Sequence, residues 1–299
     1  MSVAGPDAFD TALPAPEEGV DPLKLRALEE LLRGLGDVAV GFSGGVDSTF
    51  LAAACARAIP DGTVLVHLDS PFATAAERAA LEAATERIGL PLHIVKVNQL
   101  DSPTVAANPK DRCYHCKRLG FKTIMGFAAE RGITAVLEGS NADDLEDFRP
   151  GMRAVRELGV LSPLAQTGWR KAEERAALRA WGFSNWNLPA GACLATRVAC
   201  GEPITPGKLA LAQAVESALH DAGARQVRCR IEGGCARIEM AGDDIDRLAA
   251  QGDPAGAAGR GGLVLPPRLL PDGLDALLAD AGVRALDRVV LPYRRGSMN

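Results

Sequence analysis

The sequence predicts an α/β protein: a doubly wound parallel sheet with helices on both faces, followed by a smaller α+β domain. Three observations carry that reading. Short apolar runs alternate with helical patterns up to residue 138, a glycine-rich turn stands directly between the first apolar run and the helix after it, and the pattern changes after residue 206. With 299 residues, 47% of them hydrophobic and 24% charged, the chain has the composition of an ordinary globular protein and room for one large domain or two.

The first 20 residues are acidic, without a cationic start or an apolar centre, and read as a loose tail rather than a leader. No apolar run reaches the ~18 residues needed to cross a bilayer, so a cytoplasmic protein with no membrane partner is expected. Asp21 and Pro22 form an N-cap and first-turn pair for a helix to about Gly34, with Leu25, Leu28, Leu31 and Leu32 on one face. Strands are expected at 37–42, 63–68, 92–97 and 133–138, and helices at 48–57, 74–88 and 115–130. Between 187 and 206 the periodicity lapses into a loop that we read as carrying chemistry. A helix at 206–222, strands at 224–232 and 235–240, a helix at 243–250, a Gly/Ala stretch at 252–262, another helix and a last strand at 284–293 complete the α+β part.

Thirty-three basic against thirty-eight acidic side chains give a net charge of −5, without the cationic excess on which nonspecific nucleic-acid binding draws. Twenty-six of the thirty-three cations are arginine, a bias that lowers the weight of any single arginine. Seven cysteines in a reducing compartment point to metal or redox chemistry rather than to a disulfide framework.

The turn after the first strand reads Ser43-Gly44-Gly45-Val46-Asp47-Ser48 and opens a helix. Adjacent glycines let backbone approach an anion, hydroxyls flank it, and a helix N-terminus adds unsatisfied N–H groups, so the segment is a polyphosphate cradle. It has neither the GxxxxGK[ST] nor the GxGxxG pattern. Asp47 inside an anion site makes sense with Mg2+ between it and the phosphates. The string, between an apolar strand and a helix, resembles the PP-loop of the N-type ATP pyrophosphatases, which split ATP between the α and β phosphates.

Cys113 and Cys116 form a CxxC at the start of a helix, where the macrodipole favours thiolate, and Cys193 follows 77 residues later. Three thiolates can hold a [4Fe-4S] cluster with one iron left open. Alternatively, Cys200 joins them in a closed structural zinc site. Cys55, Cys229 and Cys235 read as core fillers, and His115 as a spectator.

The segments RCYHCK (112–117), EGSNADD (138–144), DFRPG (147–151), ELGVLSPL (157–164), PAGACLATR (189–197) and GEPIT (201–205) resemble, in order, those of LarE, the ATP-dependent sulfur transferase family of nickel-pincer nucleotide biosynthesis. The resemblance runs from about residue 21 to 240. It implies a PP-loop domain over 21–190, a C-terminal domain over 200–299 for substrate binding and oligomerisation, and a homo-oligomer. It also implies adenylation of a carboxylate of pyridinium-3,5-biscarboxylic acid mononucleotide and replacement of AMP by sulfur from a sulfide or other sulfur donor. One branch of the family spends the cysteine matched by Cys193; the branch with a CxxC holds a [4Fe-4S] cluster on the three cysteines, and Cys113 and Cys116 place the chain there.

Ser43, Gly44, Gly45, Asp47 and Ser48 are then the expected ATP site, joined by Asn141, Asp144 and Arg149 from the loop after a parallel strand, where such sheets bind ligands. Asp144 suits Mg2+ or ribose and Arg149 the phosphates. Arg197, Arg228 and Glu239 are candidates for the substrate's phosphate or for a subunit interface. Trp169, Trp181 and Trp186 could stack on a pyridinium ring, although packing is the commoner use of tryptophan. Thiolation of tRNA uses the same loop with three cysteines. An acidic chain with 4% aromatic residues argues against it, as the cysteines argue against a plain amide ligase.

Overall fold

The computed structural model describes residues 19–146, 150–188, 191–250 and 263–293. Most of the expected tail, Arg149 and the Gly/Ala stretch lie outside the described residues. In chain order the elements are α1 (Pro22–Arg33), β1 (Val38–Gly41), α2 (Val46–Ala58), β2 (Thr63–Asp69), α3 (Ala75–Ile88), β3 (Leu92–Lys96), α4 (Pro103–Ala106), α5 (Arg112–Ala129) and β4 (Ala135–Leu137). There follow α6 (Ala142–Leu145), α7 (Pro150–Glu157), α8 (Pro163–Gln166), α9 (Lys171–Ala180), α10 (Pro206–Asp221), β5 (Val227–Glu232), β6 (Cys235–Met240), α11 (Gly242–Ala250), α12 (Leu274–Ala281) and β7 (Ala285–Pro292). The chain divides into two units, 1–69, 76–97 and 116–191 against 70–75, 98–115 and 192–299.

The first unit is the predicted α/β layer. Four parallel strands stand in the order β3-β2-β1-β4. Strand alternation sends Val38, Val40 and Leu65 into one core with Leu28, Phe50 and Leu178, and Ala39 and Val66 into the other with Ile124, Val136 and Val155. Asp21 caps α1 as expected, its carboxylate accepting from the Leu23 and Lys24 amides. Sequence periodicity named no element between 139 and 186, where the structure places four helices, α6 to α9. Chain order reverses between β1 and β4, so the loops that follow these two strands flank a topological switch point.

The second unit carries a three-stranded mixed sheet, β5-β6-β7, in which β5 and β6 are antiparallel through a Gly233-Gly234 turn and β6 and β7 run parallel. α10 packs Leu209, Ala212, Val215 and Leu219 into its core. Cys55 and Cys229 are buried as expected, but Cys235 is exposed, because it opens β6 directly after the turn. Among the described residues no helix is long and apolar enough to cross a membrane.

Candidate active site

The glycine-rich loop leaves β1 and enters α2 with Gly45 as the N-cap. Its serines organise it from within: Ser43 Oγ lies 3.0 Å from Ser48 Oγ and accepts from the Gly45 amide at 3.3 Å, and Ser48 Oγ donates to the Gly45 carbonyl at 3.1 Å. Gly44 has φ +77°, and a Cβ there would stand 2.6 Å from the Leu81 backbone on α3. Gly45 has φ −72°, with only Ser43 Oγ near its would-be Cβ, so its bareness is not demanded by the fold. Asn185, from the far end of the unit, donates through Nδ2 to the Gly44 carbonyl at 2.9 Å and to Thr49 Oγ1 at 2.8 Å, fixing which way the loop's backbone faces.

Asp47 is where the second loop arrives. Asn141, after β4, donates from Nδ2 to Asp47 Oδ1 at 3.2 Å, and Lys171, opening α9, places Nζ 2.5 Å from the same oxygen. Gly139 passes so close that a Cβ would lie 3.0 Å from the Asp47 backbone. Glu174, one turn along α9 from Lys171, is fully buried, and neither of its carboxyl oxygens finds a hydrogen-bond partner among the described residues. Burial, and then the Asp47 carboxylate that it faces, push its carboxyl far above the ordinary carboxylate range.

Asp144 accepts from the Asn141 amide at 3.1 Å and closes a capping box on α6. Thus Ser43, Gly44, Gly45, Asp47, Ser48, Asn141 and Asp144 are gathered at the switch point, while Arg149 lies outside the described residues. Glu138 takes Ser140 Oγ at 2.8 Å and Lys117 Nζ at 3.3 Å, which ties the residue after Cys116 to the end of β4.

All seven cysteines are thiols; Cys113 and Cys200 are exposed, and Cys116 and Cys193 are half-buried. Within the second unit Arg112 donates from Nη1 to the Ala195 carbonyl at 3.1 Å and holds Nη2 3.9 Å from Cys113 Sγ, so one guanidinium joins the Cys113 turn to the segment that starts at Cys193. Cys200 Sγ turns to the Asn108 carbonyl at 3.7 Å. Among the described residues no three His, Cys, Asp or Glu side chains stand together as a ready metal site. His115 pairs with Asp111 at 3.2 Å.

Of the residues expected at the substrate, Arg197 is 1% exposed and grips Glu216 through Nε and Nη2 at 2.7 and 2.8 Å. Glu239 is held by Arg230 at 3.0 Å. Both are therefore engaged inside the second unit. Arg228 differs: it is buried, donates to the Val227 carbonyl at 2.8 Å, and forms no ion pair among the described residues. Burial first, and then the charge of Arg197, lower its pKa, outweighing the opposing charge of Glu216. Trp169 and Trp181 pack in the core around Phe50, with ring centroids at 4.5 and 5.4 Å, and Arg179 lies over Trp186. Sequence reasoning missed Lys171, Glu174 and Asn185. A signal existed for Glu174, which heads the apolar stripe of Ala177, Leu178 and Trp181.

A parallel sheet whose first strand ends in this serine-glycine loop, completed across the switch point, defines an ATP pyrophosphatase of the PP-loop class. Over 107 residues, 35% of this chain and 31% of the relative, it is 33% identical to the tRNA(Ile)-lysidine synthase of Polaromonas naphthalenivorans. The chain belongs to the LarE family: it is 30% identical over 218 residues, 73% of its length and 79% of the relative's, to the pyridinium-3,5-bisthiocarboxylic acid mononucleotide synthase of Lactiplantibacillus plantarum. It is also 35% identical over 225 residues, 75% of this chain and 84% of the other, to an uncharacterised Synechocystis protein. No protein-family model matches it.

Proposed function

We propose that this chain is an ATP-dependent sulfur transferase that converts a carboxylate of pyridinium-3,5-biscarboxylic acid mononucleotide into a thiocarboxylate for a nickel-pincer cofactor. The observation that carries the reading is the family relationship to the bisthiocarboxylic acid mononucleotide synthase, joined to a phosphate loop at the switch point of the sheet.

A carboxylate is a poor electrophile. Its oxygen attacks the α-phosphorus of ATP and pyrophosphate leaves; sulfur then attacks the acyl carbon, a C–S bond forms, and AMP departs with its oxygen. The Gly44 and Gly45 backbone and the first amides of α2 take the pyrophosphate, and Asp47, with Asn141 and Asp144 in the facing loop, would hold Mg2+. The residues suit that ion, since Asp47 Oδ1 already carries a positive charge, Lys171 Nζ. Bound there, Mg2+ neutralises charge on the leaving group. Arg149 adds a second cation, and Arg228 takes the phosphate of the pyridinium nucleotide.

Cys113, Cys116 and Cys193 would hold a [4Fe-4S] cluster; the donor chemistry fits, because the three are thiols and none is sealed in the core. Such a cluster supplies a sulfide at its open iron. The arginine tie between the Cys113 and Cys193 segments supports the choice of these cysteines over Cys200. The test is turnover of the purified protein with ATP, sulfide and the pyridinium mononucleotide, following AMP, pyrophosphate and thiocarboxylate, beside iron and sulfide analysis of anaerobic protein. Nucleotide-dependent AMP release without thiocarboxylate removes the sulfur transfer. Colourless protein that loses the mass of H2S at Cys193 during turnover removes the cluster and makes Cys193 the sulfur donor.

A further inference from the structure

The buried acid of α9 has no use in the scheme above. Glu174 is 0% exposed, its carboxyl oxygens have no geometric hydrogen-bond partner among the described residues, and Asp47 and Asn141 lie close enough beside it to act on its charge. Leucine or methionine would fill the same place on the Ala177, Leu178 and Trp181 stripe without the penalty of sealing an unsatisfied carboxyl from water. A second carboxyl group set against an acid in an anion-binding loop answers a specific demand. Mg2+ in nucleotide sites takes one or two protein carboxylates in addition to phosphate oxygens. The charge arrangement is consistent with this: Lys171 Nζ sits 2.5 Å from Asp47 and one helical turn from Glu174, so a cation is already stabilised at this pair of acids.

We propose that Glu174 is the second protein carboxylate on the divalent cation that Asp47 holds with ATP, making the cation site an acidic pair drawn from α2 and α9. The inference rests on assigning ATP and its cation to the loop after β1. It explains why the buried face of α9, otherwise Ala177 and Leu178, carries an acid.

Mn2+ is the probe, measured by the loss of its free EPR signal on titration with the full chain, alone and with α,β-methylene ATP, which this chemistry cannot split. The proposal expects one tightly held Mn2+ per chain with the analogue. Glu174→Gln and Glu174→Leu should each weaken Mn2+ at least about tenfold, and Glu174→Leu should melt at or above the wild-type temperature. Wild-type Mn2+ affinity in the folded Leu and Gln variants overturns the inference, while a loss in Asp47→Asn then leaves the ATP assignment standing. Unchanged Mn2+ binding in Asp47→Asn overturns both.

Discussion

Arg197→Met is expected to be a stability mutation rather than a binding mutation, and the structure sets its size. The guanidinium and the Glu216 carboxylate are 1% and 4% exposed and are joined by two hydrogen bonds at 2.7 and 2.8 Å. Arg197 also donates to the Ala192 carbonyl at 2.6 Å. Removing the cation leaves Glu216 buried with the Cys229 amide, 2.8 Å away, as its remaining described donor. Breaking one side of a buried pair costs about 3–5 kcal/mol, a large part of a typical total of ~5–15 kcal/mol. At ~2–4 °C per kcal/mol the melting temperature should fall by roughly 6–20 °C. Urea unfolding followed by circular dichroism measures the loss, and tryptophan fluorescence, from residues 169, 181 and 186 of the first unit, serves as the internal comparison. Arg197→Met with Glu216→Leu should recover most of the loss, because an apolar pair of similar volume leaves no orphan charge. A single variant with wild-type stability but a raised KM for the pyridinium mononucleotide would refute the reasoning and return Arg197 to the substrate.

Gly44→Ala should fail to bind ATP and lose about 2–4 kcal/mol, since its φ and the Leu81 backbone both exclude a Cβ; Gly45→Ala should keep its stability, so any loss of ATP affinity there reports the anion's approach alone. In alkylation of native, cluster-free protein mapped by mass spectrometry, Cys113, Cys200 and Cys235 should react, whereas Cys55, whose thiol burial pushes up to about 12, and Cys229, raised by the same cause, should react only after unfolding. Without divalent cations, Glu174→Gln should stabilise the protein increasingly as pH rises above ~4.3. The native Glu174 pKa lies above its unfolded value, so what the protonated group contributes is complete below the unfolded pKa and is lost as pH rises toward the folded one; a pH-independent difference between variant and wild type would contradict this.

The elements that could be read from sequence are those in which local pattern and tertiary environment agree. Alternating apolar runs became strands within three residues of their expected ends, and the loop between β1 and α2 was legible because its glycines and serines have few other uses in succession. Residues 139–186 resisted because α6 and α8 are four residues each, too short to show a period, and their ends are set by capping contacts such as the Asn141 to Asp144 box. The arginines were hard to read for another reason. In β5, Arg228 and Arg230 alternate with Val227, Cys229 and Ile231 as on a half-solvated strand, yet both faces are buried. Which arginine is neutralised within the unit depends on Glu216 and Glu239, and strand alternation carries no information about partners 19 and 9 residues away. Glu216 was within reach, since it shares the apolar stripe of Leu209, Ala212 and Leu219 on α10.

A chain of net charge −5 is an unlikely choice for a triphosphate if recognition is pictured as charge meeting charge. The loop resolves this by using groups that do not appear in a charge count. Backbone N–H dipoles at the start of α2 favour an anion through partial charges held in place by the helix. Lys171 adds a full charge, and Asp47 subtracts one, which the proposed Mg2+ would reverse. In the proposed function the cation would bring its own charge with the nucleotide, and acidic side chains at this site would strengthen selection for the metal complex over the bare polyanion. A net charge of −5, in turn, supplies no excess of cations for a nucleic acid, whose many phosphates need many cations at once. The second unit neutralises Arg197 and Arg230 with Glu216 and Glu239, whereas Arg228 is buried without an ion pair among the described residues, which is why the proposed function gives it the single phosphate of the pyridinium nucleotide.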